Sequence, residues 1–103
     1  MKILLACSAG MSTSMIVEKM KKAAREMGED HQIWAVDCES IKNEIGKCDV
    51  ILLGPQIRLE KENIKKIAKG TPVEVIRPMD YGRQNGKAIL EFAKSLVKEE
   101  GEN

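Results

Sequence analysis

The amino-terminal stretch of the chain reads KILLACSAGMSTS, from Lys2 to Ser14, and it decides the fold. Its first half, Lys2–Cys7, is nearly all apolar, which is typical of a strand that is covered on both faces of a parallel sheet. Its second half, Ser8–Ser14, is small and hydroxylated, and apolar residues then recur at helical spacing to about Met27. The stretch therefore predicts a strand, a loop and a helix, the unit from which α/β folds are built.

The rest of the chain repeats this alternation of short apolar runs and helical periodicity. Further strands are predicted over His31–Asp37, Asp49–Leu53 and Val73–Ile76, helices over Ser40–Gly46, Arg58–Lys69 and Lys87–Lys98, and a loop over Pro78–Gly86. We expect the first helix to begin near Thr13, and Ile64, Ile67 and Ala68 to point inward from the third. Right-handed crossovers then favour a small doubly wound α/β domain, a four-stranded parallel sheet with helices on both faces.

Length and charge exclude several classes of protein. The 103 residues suit one domain, residues 1–103. Seventeen Lys and Arg residues against sixteen Asp and Glu leave a net charge of +1, and Trp34, Tyr81 and Phe92 are the only aromatic residues. A nucleic-acid-binding protein needs a basic surface and often a base-stacking platform, so we expect no nucleic-acid partner.

The lengths of the apolar runs and the cysteine pattern argue against membrane, secreted and metal-binding proteins. The run Ile3–Cys7 is too short for a secretory signal or a membrane span, so the sequence predicts a cytoplasmic protein without membrane insertion. Three cysteines, Cys7, Cys38 and Cys48, occur without a C-x-x-C pair, and His31 is the only histidine. We therefore expect reduced thiols, no metal site and no cofactor.

Cys7 and the loop that follows it carry most of the functional signal. Ligands of parallel sheets bind beyond the carboxyl ends of the strands, where Cys7 is predicted to lie. Backbone N–H groups at a helix amino terminus stabilise anions, so a thiolate in such a cradle is suited to accept a phosphoryl group. The alternative is an ordinary strand-end thiol with serine caps. The hydroxyl residues and Gly10 between strand and helix favour the anion site.

Known phosphate-binding and nucleotide-binding motifs narrow the chemistry. A dinucleotide fingerprint needs G-x-G-x-x-G, and only Gly10 is present. The tyrosine-phosphatase loop, C-x5-R-[ST], matches in length, but Thr13 stands at the arginine position and Ser14 follows it. Without the guanidinium fork, the loop favours accepting and passing on phosphate over hydrolysing it. A small cysteine phosphatase or arsenate reductase, and a flavodoxin-like module that binds an anion without covalent chemistry, stay as alternatives.

Three motifs together resemble one family. The stretches LACSAGMSTS (5–14), LLGPQI (52–57) and Tyr81-Gly82 look like the enzyme IIB component of the sugar phosphotransferase system, lactose/cellobiose type. The resemblance implies that Cys7 forms a phosphocysteine. It would receive the phosphoryl group from a phosphohistidine of enzyme IIA and pass it to a sugar bound by the membrane permease, enzyme IIC. The resemblance further implies a phosphotransferase of the cellobiose/chitobiose branch, and we expect it to be a monomer.

The candidate site combines this resemblance with the loop chemistry. Cys7 is the nucleophile, and Gln56 and Tyr81 are supporting residues, with a turn role for Gln56 and a core-capping role for Tyr81 as alternatives. Asp80 is a turn residue or, in a phosphatase, a general acid. Cys38 and Cys48 are expected to be packing thiols away from the ligand edge. The predicted phosphoryl-binding loop comprises Ser8, Ala9, Gly10, Met11, Ser12, Thr13 and Ser14.

Overall fold

Four parallel strands form one sheet in the computed structural model, which describes residues 1–8 and 10–101 and, at positions 10–12 and 99–101, the backbone alone. The strand order is β2-β1-β3-β4. The strands are β1 (Lys2–Cys7), β2 (Gln32–Asp37), β3 (Val50–Leu53) and β4 (Val73–Val75). The predicted four-stranded parallel sheet is confirmed.

Helices cover both faces of this sheet. The α-helices are α1 (Gly10–Glu26), α2 (Lys61–Ala68), α3 (Pro78–Gly82) and α4 (Gly86–Gly101), and 3₁₀ helices span Cys38–Asn43 and Pro55–Glu60. Because successive strand residues point to opposite faces, β1 contributes to two cores. Ile3 and Leu5 pack with α1 and α4, whereas Leu4 and Ala6 pack with α2 and the 3₁₀ helices. The doubly wound α/β fold is therefore confirmed as well.

The strand register places three carboxyl ends at one edge of the sheet. Cys7 of β1 lies opposite Asp37 of β2, and Ala6 lies opposite Leu53 of β3. The backbone N–H of Gly54 continues the pairing by donating to the Ala6 carbonyl at 2.8 Å. Segments that leave these strands therefore begin around Cys7.

Helices α1 and α4 approach each other unusually closely at Gly86. A Cβ atom at this position would lie 2.4 Å from the carbonyl carbon of Lys19 and 2.7 Å from the amide nitrogen of Met20. Backbone atoms cannot give way as a flexible side chain can, so the contact requires a residue without a side chain.

Two predicted loop boundaries differ in the structure. Helix α1 begins at Gly10 rather than near Thr13, so most of the predicted loop Ser8–Ser14 is helical backbone. The first N–H groups of any helix lack intrahelical partners, so small hydroxylated residues fit a first turn as well as a loop. The predicted loop 78–86 contains the short helix α3, where Pro78 supplies the backbone angle of a first helical residue.

The third predicted helix also differs. The chain forms a 3₁₀ helix over Pro55–Glu60 before α2 begins at Lys61, with a kink at Ile57. Ile64 and Ala68 are buried as predicted, but Ile67 is 43% exposed. Residues four apart share one helix face, and in this short helix that face is the only one against the sheet. No helix in the described ranges is long and apolar enough to cross a membrane.

Candidate active site

Cys7 is the last residue of β1, and α1 begins three residues later at Gly10. Its side chain points to the sheet face covered by α1 and α4 and is 2% exposed. The thiol therefore lies beside the amino terminus of α1, where N–H groups without intrahelical partners and the helix dipole favour a negative charge.

Thr13 contacts the sulfur directly. Its Oγ1 hydroxyl donates a hydrogen bond to Cys7 Sγ at 2.6 Å, and the same oxygen lies 3.2 Å from the hydroxyl of Tyr81. Thr13 is 1% exposed, so these contacts are shielded from water. A neutral hydroxyl thus stands where the phosphatase motif has a guanidinium, and it faces the sulfur.

Gly54 lies among three side chains that come from separate parts of the sequence. A Cβ atom on Gly54 would lie 2.8 Å from Gln56 Oε1, 3.0 Å from Cys7 Cβ and 3.4 Å from Tyr81 Cε2. The structure therefore brings Cys7, Gln56 and Tyr81 together around this glycine. Gly54 was not among the predicted site residues, although a glycine directly after a buried strand and before a proline is a recognisable signal for close backbone approach.

The remaining residues of the predicted phosphoryl-binding loop lie around the start of α1. Ser8 and Ser14 are exposed at the edge of the sheet. The backbone of residues 10–12 forms the first turn of α1, and Ala9 lies outside the described residues. Asp80 is half-buried in the first turn of α3, the helix that carries Tyr81.

The prediction that Cys38 lies away from the ligand edge is wrong. Cys38 directly follows β2, whose last residue pairs with Cys7, so both cysteines lie at the same edge of the sheet. It packs, however, against the other face, with the cluster that contains Leu4 and Ala6. Trp34 and Val36 of β2 belong to the same cluster, so Cys38 continues the alternation of the strand on that face. Burial, with the nearby carboxylate of Glu60, raises the pKa of the Cys38 thiol.

Cys48 lies before β3, at the opposite end of the sheet from Cys7. Burial, followed by the charges of Asp49 and Glu44, raises the pKa of its thiol to about 11. This thiol is suited to packing, since reactivity belongs to the thiolate form. Across the residues that the structure describes, no cluster of three or more His, Cys, Asp or Glu side chains is arranged to hold a metal ion.

Sequence relatives match this chain over nearly its whole length. Residues 2–92 match the family model of the lactose/cellobiose-specific IIB subunit of the PTS system. The chain is 47% identical to an oligo-β-mannoside-specific EIIB component of Bacillus subtilis over 93% of its own length and 95% of the relative's. It is 44% identical to a galactose-specific EIIB component of Lactococcus lactis subsp. cremoris and 43% identical to a cellobiose-specific one of L. lactis subsp. lactis, each over 92% of this chain and 94% of the relative.

Solved structures show the same architecture. A lactose-specific IIB domain from Streptococcus pneumoniae superposes with a TM-score of 0.84 over 93% of this chain and 96% of that one, at 19% identity, which shows a shared fold. A cellobiose-specific IIB protein from Borrelia burgdorferi superposes with a TM-score of 0.82 over 97% and 94%, at 37% identity. The chain therefore belongs to the lactose/cellobiose-specific IIB family of the sugar phosphotransferase system, whose members are phosphotransferases that act with IIA and IIC components.

Proposed function

We propose that this chain accepts a phosphoryl group on Cys7 from a phosphohistidine of enzyme IIA and passes it to a sugar bound by the permease, enzyme IIC. The observation that carries the proposal is the 2.6 Å hydrogen bond from Thr13 Oγ1 to Cys7 Sγ, beside the amino terminus of α1. A thiol with a fixed hydrogen-bond donor and the positive end of a helix dipole is suited to react as a thiolate.

The proposed reaction consists of two phosphoryl transfers, one to Cys7 Sγ and one from it. In the first, Cys7 Sγ attacks phosphorus, the S–P bond forms as the N–P bond of the donor breaks, and the thiol proton ends on the released imidazole. In the second, a sugar hydroxyl oxygen attacks phosphorus, the S–P bond breaks, and the hydroxyl proton ends on Cys7. Splitting the transfer in this way is covalent catalysis, and neither step needs a metal or an organic cofactor.

The rest of the proposed phosphoryl site is built from the start of α1 and the loop after β3. In this proposal, backbone N–H groups of residues 8–14 hold the phosphoryl oxygens, and hydroxyl groups of Ser8, Ser12, Thr13 and Ser14 assist. Gln56 supports the same site, because its Oε1 lies against Gly54 next to Cys7. Backbone donors at a helix amino terminus form a ready anion site.

The arginine-free loop distinguishes a carrier from a hydrolase. An arginine fork stabilises a phosphoryl transition state through two parallel charged hydrogen bonds. The buried Thr13 supplies one neutral donor, and it is directed at sulfur. A small cysteine phosphatase or arsenate reductase is therefore the weaker candidate function.

Exposed apolar side chains at the same edge suit brief contacts with IIA and IIC. Leu59 is 84% exposed after β3, Met79 is 64% exposed after β4, and Met15 is 54% exposed on α1. Each lies on an element that follows the carboxyl end of a strand. Relay partners must release quickly, which small interfaces permit. We accordingly propose a single-domain carrier, residues 1–103, that acts as a cytoplasmic monomer between these partners.

The sugar is proposed to be of the cellobiose/chitobiose type. The cellobiose-specific relative from Lactococcus lactis and the cellobiose-specific structure from Borrelia burgdorferi support it. A galactose-specific relative is equally similar, and the sugar would bind the permease rather than this chain. Phosphorylation of a panel of sugars with the cognate permease in membrane vesicles decides the class: cellobiose or chitobiose as the best acceptor supports the assignment, and galactose or a mannoside contradicts it.

The phosphoryl acceptor is tested by incubation with phosphorylated enzyme IIA and intact-mass measurement. The wild-type protein is expected to gain the mass of one phosphoryl group, and Cys7→Ala to gain none. Cys38→Ala is the matched control, since it removes a thiol from the same edge of the sheet and should be phosphorylated like the wild type. Phosphorylation of Cys7→Ala would show that another residue is the acceptor. Rapid, Cys7-dependent hydrolysis of p-nitrophenyl phosphate would instead support the phosphatase.

A further inference from the structure

We propose that Tyr81 is a positioning residue that acts on Cys7 through Thr13, as the first donor of a hydrogen-bond chain from Tyr81 OH to Thr13 Oγ1 to Cys7 Sγ. The proposal deepens the function above and rests on Cys7 being the reacting group. In this proposal Tyr81 acts indirectly, through the Thr13 hydroxyl. A tyrosine that donated a hydrogen bond to the phosphoryl group would act directly, which is a different role.

The direction of the chain follows from counting protons. A threonine hydroxyl has one proton and can also accept hydrogen bonds. At 2.6 Å, Thr13 Oγ1 donates that proton to Cys7 Sγ. At the 3.2 Å contact between the two hydroxyl oxygens, Thr13 must therefore accept and Tyr81 must donate. Turning the Thr13 proton toward Tyr81 would remove the hydrogen bond to sulfur.

Burial strengthens the two hydrogen bonds that link Tyr81, Thr13 and Cys7. Thr13 is 1% exposed, Cys7 2% and Tyr81 8%. Water therefore has little access to replace either donor, and hydrogen bonds are stronger where the local dielectric constant is low. Linked donors also polarise one another, so a donor on Thr13 Oγ1 strengthens the hydrogen bond that Thr13 makes.

The tyrosine is held firmly enough to orient Thr13. Its backbone N–H donates to the Arg77 carbonyl at 2.9 Å within α3. Its ring belongs to the same core cluster as Leu5 and Ile16 and passes beside Gly54, where a Cβ atom would lie 3.4 Å from Cε2. A hydroxyl on a packed ring loses little freedom when it donates, which is the condition for preorganised stabilisation of charge.

The chain matters most when sulfur is charged. The sulfur has thiolate character as it attacks phosphorus and again as it leaves. A hydrogen bond to a charged acceptor is stronger than one to a neutral acceptor, so the chain stabilises the thiolate over both the thiol and the phosphorylated sulfur. Loss of the Tyr81 hydroxyl should therefore leave less of Cys7 as thiolate near neutral pH and slow its alkylation there.

The test is the pH profile of Cys7 alkylation by iodoacetamide, followed by peptide mass analysis so that Cys7 is read separately from the other thiols. The variants are Tyr81→Phe, Thr13→Val, the double variant, and Thr13→Ser, which keeps the hydroxyl. Tyr81→Phe should slow alkylation at pH 7 by about two- to fivefold, the scale of one neutral hydrogen bond, and move the profile to higher pH. Thr13→Val should have at least this effect, and Thr13→Ser should restore a profile close to that of the wild type.

The double variant tests whether Tyr81 acts on Cys7 through Thr13. If Tyr81 acts through Thr13, adding Tyr81→Phe to Thr13→Val changes neither rate nor profile, because coupled residues are not additive. An unchanged profile in Tyr81→Phe, or the same slowing in both backgrounds, would overturn the proposal. Urea unfolding of each variant checks that the fold is retained. The alkylation test does not need IIA, so the two proposals can fail separately. If the variants alkylate as expected but IIA phosphorylates a residue other than Cys7, the proposed function is contradicted and the hydrogen-bond chain is not.

Discussion

Thr13 Oγ1 lies 2.6 Å from Cys7 Sγ and donates a hydrogen bond to it, although the two residues are six positions apart in the chain and belong to different elements. The phosphatase motif has arginine at this position. Thr13 is 1% exposed, so a charge at this position would lose most of its hydration. The buried position therefore suits a neutral hydroxyl better than an unpaired guanidinium.

The variant Thr13→Arg should destabilise the protein rather than create an efficient phosphatase. Burying an unpaired guanidinium is expected to cost about 2–5 kcal/mol of unfolding free energy, measured by urea denaturation. Met15→Arg is the matched control, because Met15 is 54% exposed on the same helix and the same charge there should cost less than about 0.5 kcal/mol. A stable Thr13→Arg protein that hydrolyses p-nitrophenyl phosphate would contradict the prediction.

The variant Gly86→Ala should loosen the contact between α1 and α4. Its Cβ atom would lie 2.4 Å from the Lys19 carbonyl carbon, so one helix must shift. Overpacking of this kind costs about 1–3 kcal/mol, read as a lower urea midpoint. Gly82→Ala at the end of α3 is the control, because a Cβ atom there meets nothing within 4 Å. Equal midpoints for the two variants would show that the helices adjust freely.

The thiol of Cys48 should alkylate very slowly in the folded protein. Burial is the main reason that its pKa is raised to about 11, so about one molecule in a thousand is a thiolate at pH 8. Iodoacetamide labelling followed by peptide mass analysis should show Cys48 reacting mainly after urea is added. Labelling of Cys48 at the same rate with and without urea would mean that the site is open in the native state.

The carboxylate of Glu29 should contribute stability that is lost in acid. Glu29 Oε1 lies 2.7 Å from His31 Nε2, and Oε2 accepts from Lys94 Nζ at 2.8 Å. These hydrogen bonds, that of His31 first, hold the pKa of Glu29 below the ordinary value for a carboxyl group. A lowered folded-state pKa means that the contribution is complete above the unfolded-state pKa and disappears as pH falls through the folded-state value.

The difference in unfolding free energy between the wild type and Glu29→Gln should therefore be largest near neutral pH and shrink below about pH 4, near the ordinary value for a carboxyl group. Urea denaturation at several pH values measures it. Glu26→Gln, exposed on α1, is the control and should show a much smaller change. A constant difference between Glu29→Gln and the wild type across this range would mean that the negative charge of Glu29 adds nothing to stability.

Local patterns in the sequence determined the architecture. Continuous apolar runs of strand length indicate two covered sheet faces, and their alternation with helical periodicity indicates parallel strands. The parallel pairing of neighbouring strands confirms this. The motif around Cys7, with 52–57 and Tyr81-Gly82, was sufficient to identify the family. Helix boundaries were less accurate, because the first turn of α1 and the loop before it require the same small residues.

Only the tertiary structure decided which side chains meet at the site. Tyr81 lies 68 residues from Thr13, and their contact depends on how α3 packs beside α1, which no local pattern records. The same holds for Gly54 between Cys7 and Gln56, and for Cys38, which shares an edge with Cys7 but faces the other core. Periodicity reports which face of an element is buried, whereas distances of a few ångströms between elements are set by the packing of the whole core. The sequence by itself therefore determined the sheet and the cysteine, and the packing decided which hydroxyl faces the sulfur.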